Sequence, residues 1–126
     1  MSSIDISNFK TDNVTDMSDM FYGCNNLKDI KGLNNLNTNN VTNMSGMFYE
    51  CKNLLSIDVS NFKMDKVTNM AYMFSGCNNL KELNISYFAF KKECNTSNIF
   101  SGIDKKECRL ITKDETIQNL FNHNDN

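Results

Sequence analysis

Five cysteines and a single histidine are the most reactive side chains of this sequence. Three of the cysteines, Cys24, Cys51 and Cys77, recur at spacings of 27 and 26 residues. Residues that occupy the same position in successive repeats stack on one another. These thiols are therefore expected to form a column that points into the core. A disulfide would need suitable rotamers at consecutive levels, and three thiols cannot all pair. Packing as small hydrophobic side chains is therefore favoured.

Cys94 and Cys108 lie outside that column and are 14 residues apart. A disulfide between them would close a loop worth about 3 kcal/mol in the chain-entropy model. The sequence leaves their redox state open. A metal site has less support, because no Cys-x-x-Cys pair occurs and His123 lies in a polar tail. We predict no metal site.

Six of the eight methionines form two further columns. One contains Met17, Met44 and Met70, and the other contains Met20, Met47 and Met73. Thioethers can bind copper(I) or adapt to varied partners. Both columns fall on the apolar face of a predicted helix, which favours core packing.

The inventory of side chains does not support catalysis. One histidine near the terminus provides no Ser-His or Cys-His pair on a scaffold, and glycine-rich phosphate loops are absent. We therefore predict that the protein is not an enzyme and has no cofactor. A net charge of -2 without a basic run argues against nucleic-acid binding. No apolar stretch reaches the roughly 18 residues of a membrane span.

These side chains are positioned by an internal repeat. Residues 14–27 recur nearly unchanged at 41–54 and 67–80, and in decayed form at 95–103. The period is marked by Phe21, Phe48, Phe74 and Phe100. A fixed period of this length is typical of a solenoid. We predict a single repeat domain over residues 1–126, with repeats at about 4–29, 30–56, 57–82 and 83–108 and a C-terminal cap at about 109–123.

The first half of each repeat has the period of a helix. In the first copy the apolar residues fall within an arc of roughly 120° on a helical wheel; they are Val14, Met17, Met20, Phe21 and Cys24. Threonines stand near the predicted start as caps: Thr15, Thr42 and Thr68. Glycines stand where a left-handed exit is expected: Gly23, Gly76 and Gly102. Glu50 replaces that glycine in the second copy and predicts a strained or differently shaped exit.

The second half of each repeat alternates like a strand. Ile57 and Val59 are expected to point inward, and Asp58 and Ser60 outward. One short parallel strand and one short helix per 26-residue repeat predict an α/β solenoid of leucine-rich-repeat type. An extra residue within 30–36 predicts a bulge or a looser strand edge. Residues 114–121 predict a helical cap, whereas the N-terminal strand at Ile4 has none.

Two sets of exposed residues are candidates for a partner-binding face. The strand set is polar and slightly acidic: Asp5, Ser7, Asp58, Ser60, Asn84 and Ser86. The aromatic set is Tyr22, Tyr49 and Tyr72. Repeat proteins bind partners through extended faces, and aromatic residues are frequent interface anchors. Partial packing against neighbouring repeats is the alternative for the tyrosines.

One motif runs through residues 41–62 and 67–88, and residues 14–30 carry its first half. It reads Val-Thr-Asn-Met-x-x-Met-Phe-x-x-Cys-x-x-Leu-x-x-Leu-x-Leu-Ser-x-Phe. It resembles the bacterial surface protein 26-residue repeat family, a BspA-like leucine-rich repeat also described as a mycoplasma-type domain of unknown function. The resemblance implies arrays that are often surface lipoproteins or wall-associated proteins, some binding host proteins as adhesins. It implies no catalytic residues.

The resemblance therefore predicts a non-enzymatic protein–protein interaction module, located at the cell surface or secreted. The sequence shows no signal peptide, lipobox cysteine or wall-sorting tail, which leaves a cytoplasmic location as the alternative. The second functional hypothesis is a structural segment of a longer or self-stacking array with no ligand of its own. It would associate through the N-terminal end around Ile4.

Overall fold

The computed structural model describes residues 2–123. These residues contain five short β-strands. The strands are β1 (Ser3–Asp5), β2 (Asp29–Lys31), β3 (Ser56–Asp58), β4 (Glu82–Asn84) and β5 (Arg109–Ile111). A 3-10 helix covers Leu33–Asn35, and an α-helix, α1, covers Glu115–His123. The strands lie in the segments where apolar alternation predicts them, and α1 lies where the C-terminal helix is predicted.

The strands form two separate sheets. β1 pairs with β2, while β3, β4 and β5 pair in that order. Every pairing is parallel, so that Ile57 lies beside Leu83 and Leu83 lies beside Leu110. Among the described strands, β2 and β3 do not pair. The chain turns after β2 through Gly32, at a φ of 93°, into the 3-10 helix, so the second repeat carries a helical turn instead of the predicted bulge.

The predicted α/β solenoid of leucine-rich-repeat type is wrong. It requires one helix per repeat and a continuous sheet, whereas the sheet is divided and α1 is the single α-helix of residues 2–123. The segments predicted as helices, such as residues 14–24, form consecutive turns. Their apolar residues still point inward, because residues three apart share a face in these turns as they do in a helix.

Backbone hydrogen bonding explains why these segments are not helical. In the first repeat, alternate N–H groups donate to carbonyls of the second repeat: Met17 to Asn43, Asp19 to Ser45, Phe21 to Met47 and Gly23 to Tyr49, at 2.8–2.9 Å. Of the intervening N–H groups, that of Tyr22 bonds three residues back to the carbonyl of Asp19 at 3.1 Å, and that of Ser18 bonds to the side chain of Asp16 at 2.8 Å. An α-helix would need bonds four residues back along the same segment. The donors are instead shared between local turns and the neighbouring repeat.

Left-handed residues also interrupt the predicted helices. One column contains Asp19, Gly46, Tyr72 and Asn98, and a second contains Gly23, Glu50, Gly76 and Gly102. The second column confirms the left-handed positions predicted for its glycines. Glu50 adopts the same conformation, with a φ of 62°. The predicted difference in shape at Glu50 is therefore wrong, although a residue with a Cβ is disfavoured there.

The predicted threonine caps are also wrong. The hydroxyl of Thr42 donates to the carbonyl of Thr15 at 3.3 Å, and so links two repeats. The turn is closed by the next residue along, because the side-chain oxygen of Asn43 accepts from the N–H of Ser45 at 2.9 Å. The same bond forms at Asp16, Asn69 and Asn95. These four residues also pair in parallel from repeat to repeat.

A column of phenylalanine rings forms the centre of the core. Phe21, Phe48, Phe74 and Phe100 stack with centroid separations of 5.6, 5.8 and 6.2 Å. The edge of Phe121 from α1 meets the ring of Phe100 at 5.2 Å. The methionine columns lie beside these rings and are buried, apart from the half-buried Met20. This burial confirms their predicted packing role.

Candidate functional site

The polar strand set builds the corners that follow the strands. The carboxylate of Asp58 accepts from the N–H and the hydroxyl of Ser60 at 3.0 and 2.7 Å. Asp5 accepts from the same two groups of Ser7. The side-chain oxygen of Asn84 accepts from the N–H of Ser86 at 3.1 Å. Such Asp/Asn–Ser bonds stabilise a turn, so these side chains serve the fold whether or not they contact a partner.

The polar strand set does not form one continuous row. Asp58 and Asn84 lie side by side in β3 and β4. Asp5 belongs to the other sheet and lies beside Lys31. Between the two sheets is a cavity of about 380 Å³, whose lining includes Asp29 and Ser56.

The hydrogen bonds also change the acidity of one member of the set. The pKa of Asp5 is lowered, first by the hydroxyl of Ser7 and then by its N–H. The carboxylate, which is exposed to solvent, therefore stays ionised to a lower pH than an ordinary aspartate. It adds negative charge to this end of β1.

Three aromatic residues come together as a tyrosine row (Tyr22, Tyr49 and Tyr72). The rings of Tyr22 and Tyr49 stack at 5.1 Å, and those of Tyr49 and Tyr72 lie 5.4 Å apart at 40°. Tyr22 is 56% exposed and Tyr72 is 39% exposed, while Tyr49 between them is half-buried. The rings pack on one another across the repeats and also face solvent, so partial packing is confirmed while a partner-binding role stays a prediction.

The third member of the tyrosine row comes from a different repeat position. Ser75, which is buried, takes the position of Tyr49 one repeat later, whereas Tyr72 takes that of Gly46. The left-handed φ of 61° at Tyr72 accompanies this change. Within residues 2–123, neither a hydrogen bond nor a ring contact joins the tyrosine row to the polar strand set. The tyrosine row is therefore separate from the polar strand set, and the polar strand set is itself divided between the two sheets.

The side of the first repeat that faces away from the second is incompletely covered; we call it the first-repeat edge. Its apolar side chains are half-buried or exposed: Ile4, Phe9, Val14, Met20 and Cys24. Phe9 is 50% exposed, whereas its counterparts Leu36 and Phe62 are 5% and 2% exposed.

Backbone carbonyls of the first-repeat edge also lack partners. Those of Asp16, Ser18, Met20 and Tyr22 accept no hydrogen bond from the rest of the described chain. In later repeats the equivalent carbonyls accept from the preceding repeat. The opposite end differs, because α1 covers Phe100 there.

The described thiols are free, including Cys94 and Cys108. Burial raises the pKa of Cys51 to about 12 and that of Cys108 to about 11, so these thiols are protonated at neutral pH. In the described part of the chain, no group of three histidine, cysteine or acidic side chains could hold a metal ion. Between residues 2 and 123, no helix is long and apolar enough to cross a membrane.

Sequence analysis missed a further site, a cavity of about 520 Å³ at the corner between the third and fourth repeats. It is lined by residues 60–65 and by Tyr87, Ala89 and Lys91. The available signal was Ala89, which stands one period after Lys63. A small residue where the preceding repeat has lysine leaves a space that no side chain fills. This can be recognised only once the two repeats are known to lie side by side.

The fold and its surfaces define a class of protein in which short parallel strands and tight turns from successive repeats carry a row of tyrosines and separate polar corners. The chain belongs to the family described as Mycoplasma protein of unknown function, DUF285, whose model matches residues 1–113. No curated protein and no solved structure matches the chain. The match establishes the mycoplasma family predicted from the motif. The BspA-like leucine-rich-repeat assignment stays a prediction.

Proposed function

We propose that this chain is a non-enzymatic protein–protein interaction module that binds a partner through the tyrosine row. The observation that carries the proposal is the stacking of three tyrosines at 5.1 and 5.4 Å, with the outer two well exposed. Stacked rings have few rotamers left to lose on binding, and tyrosine combines a large apolar surface with a polar hydroxyl. A protein surface with an apolar centre and hydrogen-bonding groups around it would fit this row.

The proposed partner is a host protein, and the proposed location is the surface of the cell or its surroundings. Both follow from the resemblance of the 26-residue motif to bacterial surface repeats. The polar corners of the chain also face solvent, since Asp5 and Asp58 are exposed.

Binding of the fluorescently labelled chain to host cells tests this proposal. Saturable binding should weaken about tenfold or more when Tyr22 and Tyr72 are both changed to Ser, because interface anchors of this kind contribute about 2 kcal/mol or more. Leu55→Ser is the control, since Leu55 is 46% exposed and lies outside both the tyrosine row and the polar strand set. Equal binding by the row variant and the unchanged chain would contradict the proposal, and so would a complete lack of saturable binding.

A second candidate is a structural segment of a longer or self-stacking array. The half-exposed apolar residues and unpaired carbonyls of the first-repeat edge favour it. Light scattering over a wide concentration range would then show reversible growth in mass. Phe9→Asp should abolish that growth, because Phe9 is exposed and its replacement leaves the core intact. A constant monomer mass, or growth that survives Phe9→Asp, would count against this candidate.

A further inference from the structure

A corner groove lies where the chain leaves β3 and β4, lined by residues 60–65 together with Tyr87, Ala89 and Lys91. Its volume of about 520 Å³ is in the range of small-molecule sites, about 300–1,000 Å³. Phe62 and Met64 supply a firm apolar base, since they are 2% and 8% exposed. The groove is therefore built on the core of the third repeat.

The groove exists because two residues depart from the repeat. Ala89 stands one period after Lys63, so a methyl group replaces a long side chain. Tyr87 stands where the earlier repeats have asparagine, at Asn8, Asn35 and Asn61. One period beyond Ala89 the chain has already entered α1 at Glu115. The space above Ala89 is consequently left open, with an aromatic ring at its side.

Two lysines line this space, Lys63 and Lys91, and a third, Lys113, lies against the Tyr87 ring beside it. The ammonium of Lys91 donates to the backbone carbonyl of Asp65, which holds its side chain along the wall. The ammonium of Lys113 lies 4.8 Å from the centroid of the Tyr87 ring. Lys63 lines the groove directly. In the described part of the chain, the ion pair found is Lys81 with Glu107, so none of these three lysines has a carboxylate partner.

The local charge is opposite to that of the whole chain. Two lysines, Lys63 and Lys91, and one acidic residue, Asp65, line the groove, and Lys113 lies beside it at the Tyr87 ring, whereas the whole chain carries a net charge of -2. Uncompensated cations around a concave surface attract anions. Tyr87, at 66% exposure, adds a flat apolar surface on which a ring can stack. Positive charge and an exposed aromatic ring in one cavity select for a ligand that has both an anionic group and a flat face.

We propose that the corner groove binds a small anionic ligand with a flat apolar face, such as an acidic sugar or a mononucleotide. The carboxylate or phosphate lies between Lys63 and Lys91, and the flat part of the ligand packs on Tyr87. This site is separate from the tyrosine row and does not depend on it.

Titration of the ¹⁵N-labelled chain by NMR tests the proposal with four defined probes. N-acetylneuraminic acid and adenosine monophosphate represent the two sources of the same chemistry. Inorganic phosphate supplies charge without a flat face, and N-acetylglucosamine supplies a sugar without charge. At least one of the first two should bind saturably in the millimolar range or tighter. The shifts should centre on residues 60–65 and 87–91. Phosphate should bind more weakly, and the neutral sugar should not bind.

Ala89→Lys tests whether ligand binding depends on the open cavity or only on positive surface charge. The variant should fold, because the preceding repeat already carries lysine at that position. It adds a positive charge but fills the groove, so affinity should fall about tenfold or more. Lys63→Glu should have a similar effect, while Lys106→Glu, an exposed site elsewhere, should leave affinity unchanged.

Three results would overturn the proposal. The first is that neither ring-bearing anion gives saturable shifts. The second is that Ala89→Lys binds as tightly as the unchanged chain or more tightly. The third is that Lys106→Glu weakens binding as much as Lys63→Glu, which would show that net charge alone attracts the probes.

Discussion

Thr38 and Lys63 are joined by two reciprocal hydrogen bonds. The hydroxyl of Thr38 donates to the carbonyl of Lys63 at 3.1 Å and accepts from its N–H at 2.7 Å. Thr11 makes the same pair of bonds with Asn37. A single buried side chain thus takes the place of a backbone partner at the corner between two repeats. This arrangement satisfies polar groups that would otherwise be costly to bury.

Thr38→Val should therefore destabilise the protein by about 1–3 kcal/mol, because it leaves the N–H and carbonyl of Lys63 without their partner. Thr38 is 2% exposed, so solvent does not replace the hydroxyl. Urea unfolding followed by circular dichroism measures the change. Thr42→Val is the control, since Thr42 is exposed and its single bond is longer, at 3.3 Å. Equal stability of the two variants would show that the reciprocal bonds contribute nothing.

Gly32→Ala should be far more harmful than Gly23→Ala. Both glycines have left-handed φ values, 93° and 72°, so both substitutions carry the conformational cost, about 1 kcal/mol. A Cβ on Gly32 would lie 2.5 Å from the backbone nitrogen of Ser7, whereas a Cβ on Gly23 would meet open space. The free energy of unfolding should fall by about 1 kcal/mol for Gly23→Ala and by several times more for Gly32→Ala. Similar values would contradict the close approach of Gly32 to Ser7.

Buried thiols should make the protein less stable in alkaline solution. Burial raises the pKa of Cys51 from 9.0 to about 12, so the folded protein keeps a proton that the unfolded chain releases. The stabilisation is complete below about pH 9 and is lost as the pH rises toward 12. Thermal melting between pH 7 and pH 10.5 under reducing conditions should show a falling Tm. Cys51→Ala should flatten the fall; an unchanged slope would contradict the account.

Sequence patterns predicted the strands, the inward columns and α1, because each depends on apolar residues at fixed intervals. They failed for the turns. Val14, Met17 and Met20 share a face both in a helix and in turns that bond three residues back, so spacing alone cannot distinguish the two. Asp19 also has a left-handed φ, and because it is not a glycine the sequence gives no indication of this conformation. The Asp16–Ser18 and Asn43–Ser45 pairs were the available signal for a turn in place of a helix.

The candidate surfaces were partly predictable. The sequence identified the three tyrosines, but not that Tyr72 reaches Tyr49 from a different repeat position. It also placed Asp5 and Asp58 on one face, because it could not show that the 3-10 helix after Gly32 divides the sheet. The position of Tyr72 beside Tyr49 and the division of the sheet both depend on contacts between repeats. The residue pattern within a single repeat does not reveal such contacts.

Site-specific photo-crosslinking tests most directly whether the tyrosine row contacts a partner. A photoreactive phenylalanine analogue replaces Tyr22 in one variant and Leu55, which is 46% exposed, in another, and each variant is irradiated on host cells. We predict a discrete crosslinked host protein from position 22, competed away by excess unlabelled chain, and none from position 55. Crosslinks of equal yield from both positions, or none from position 22, would contradict a binding role for the tyrosine row.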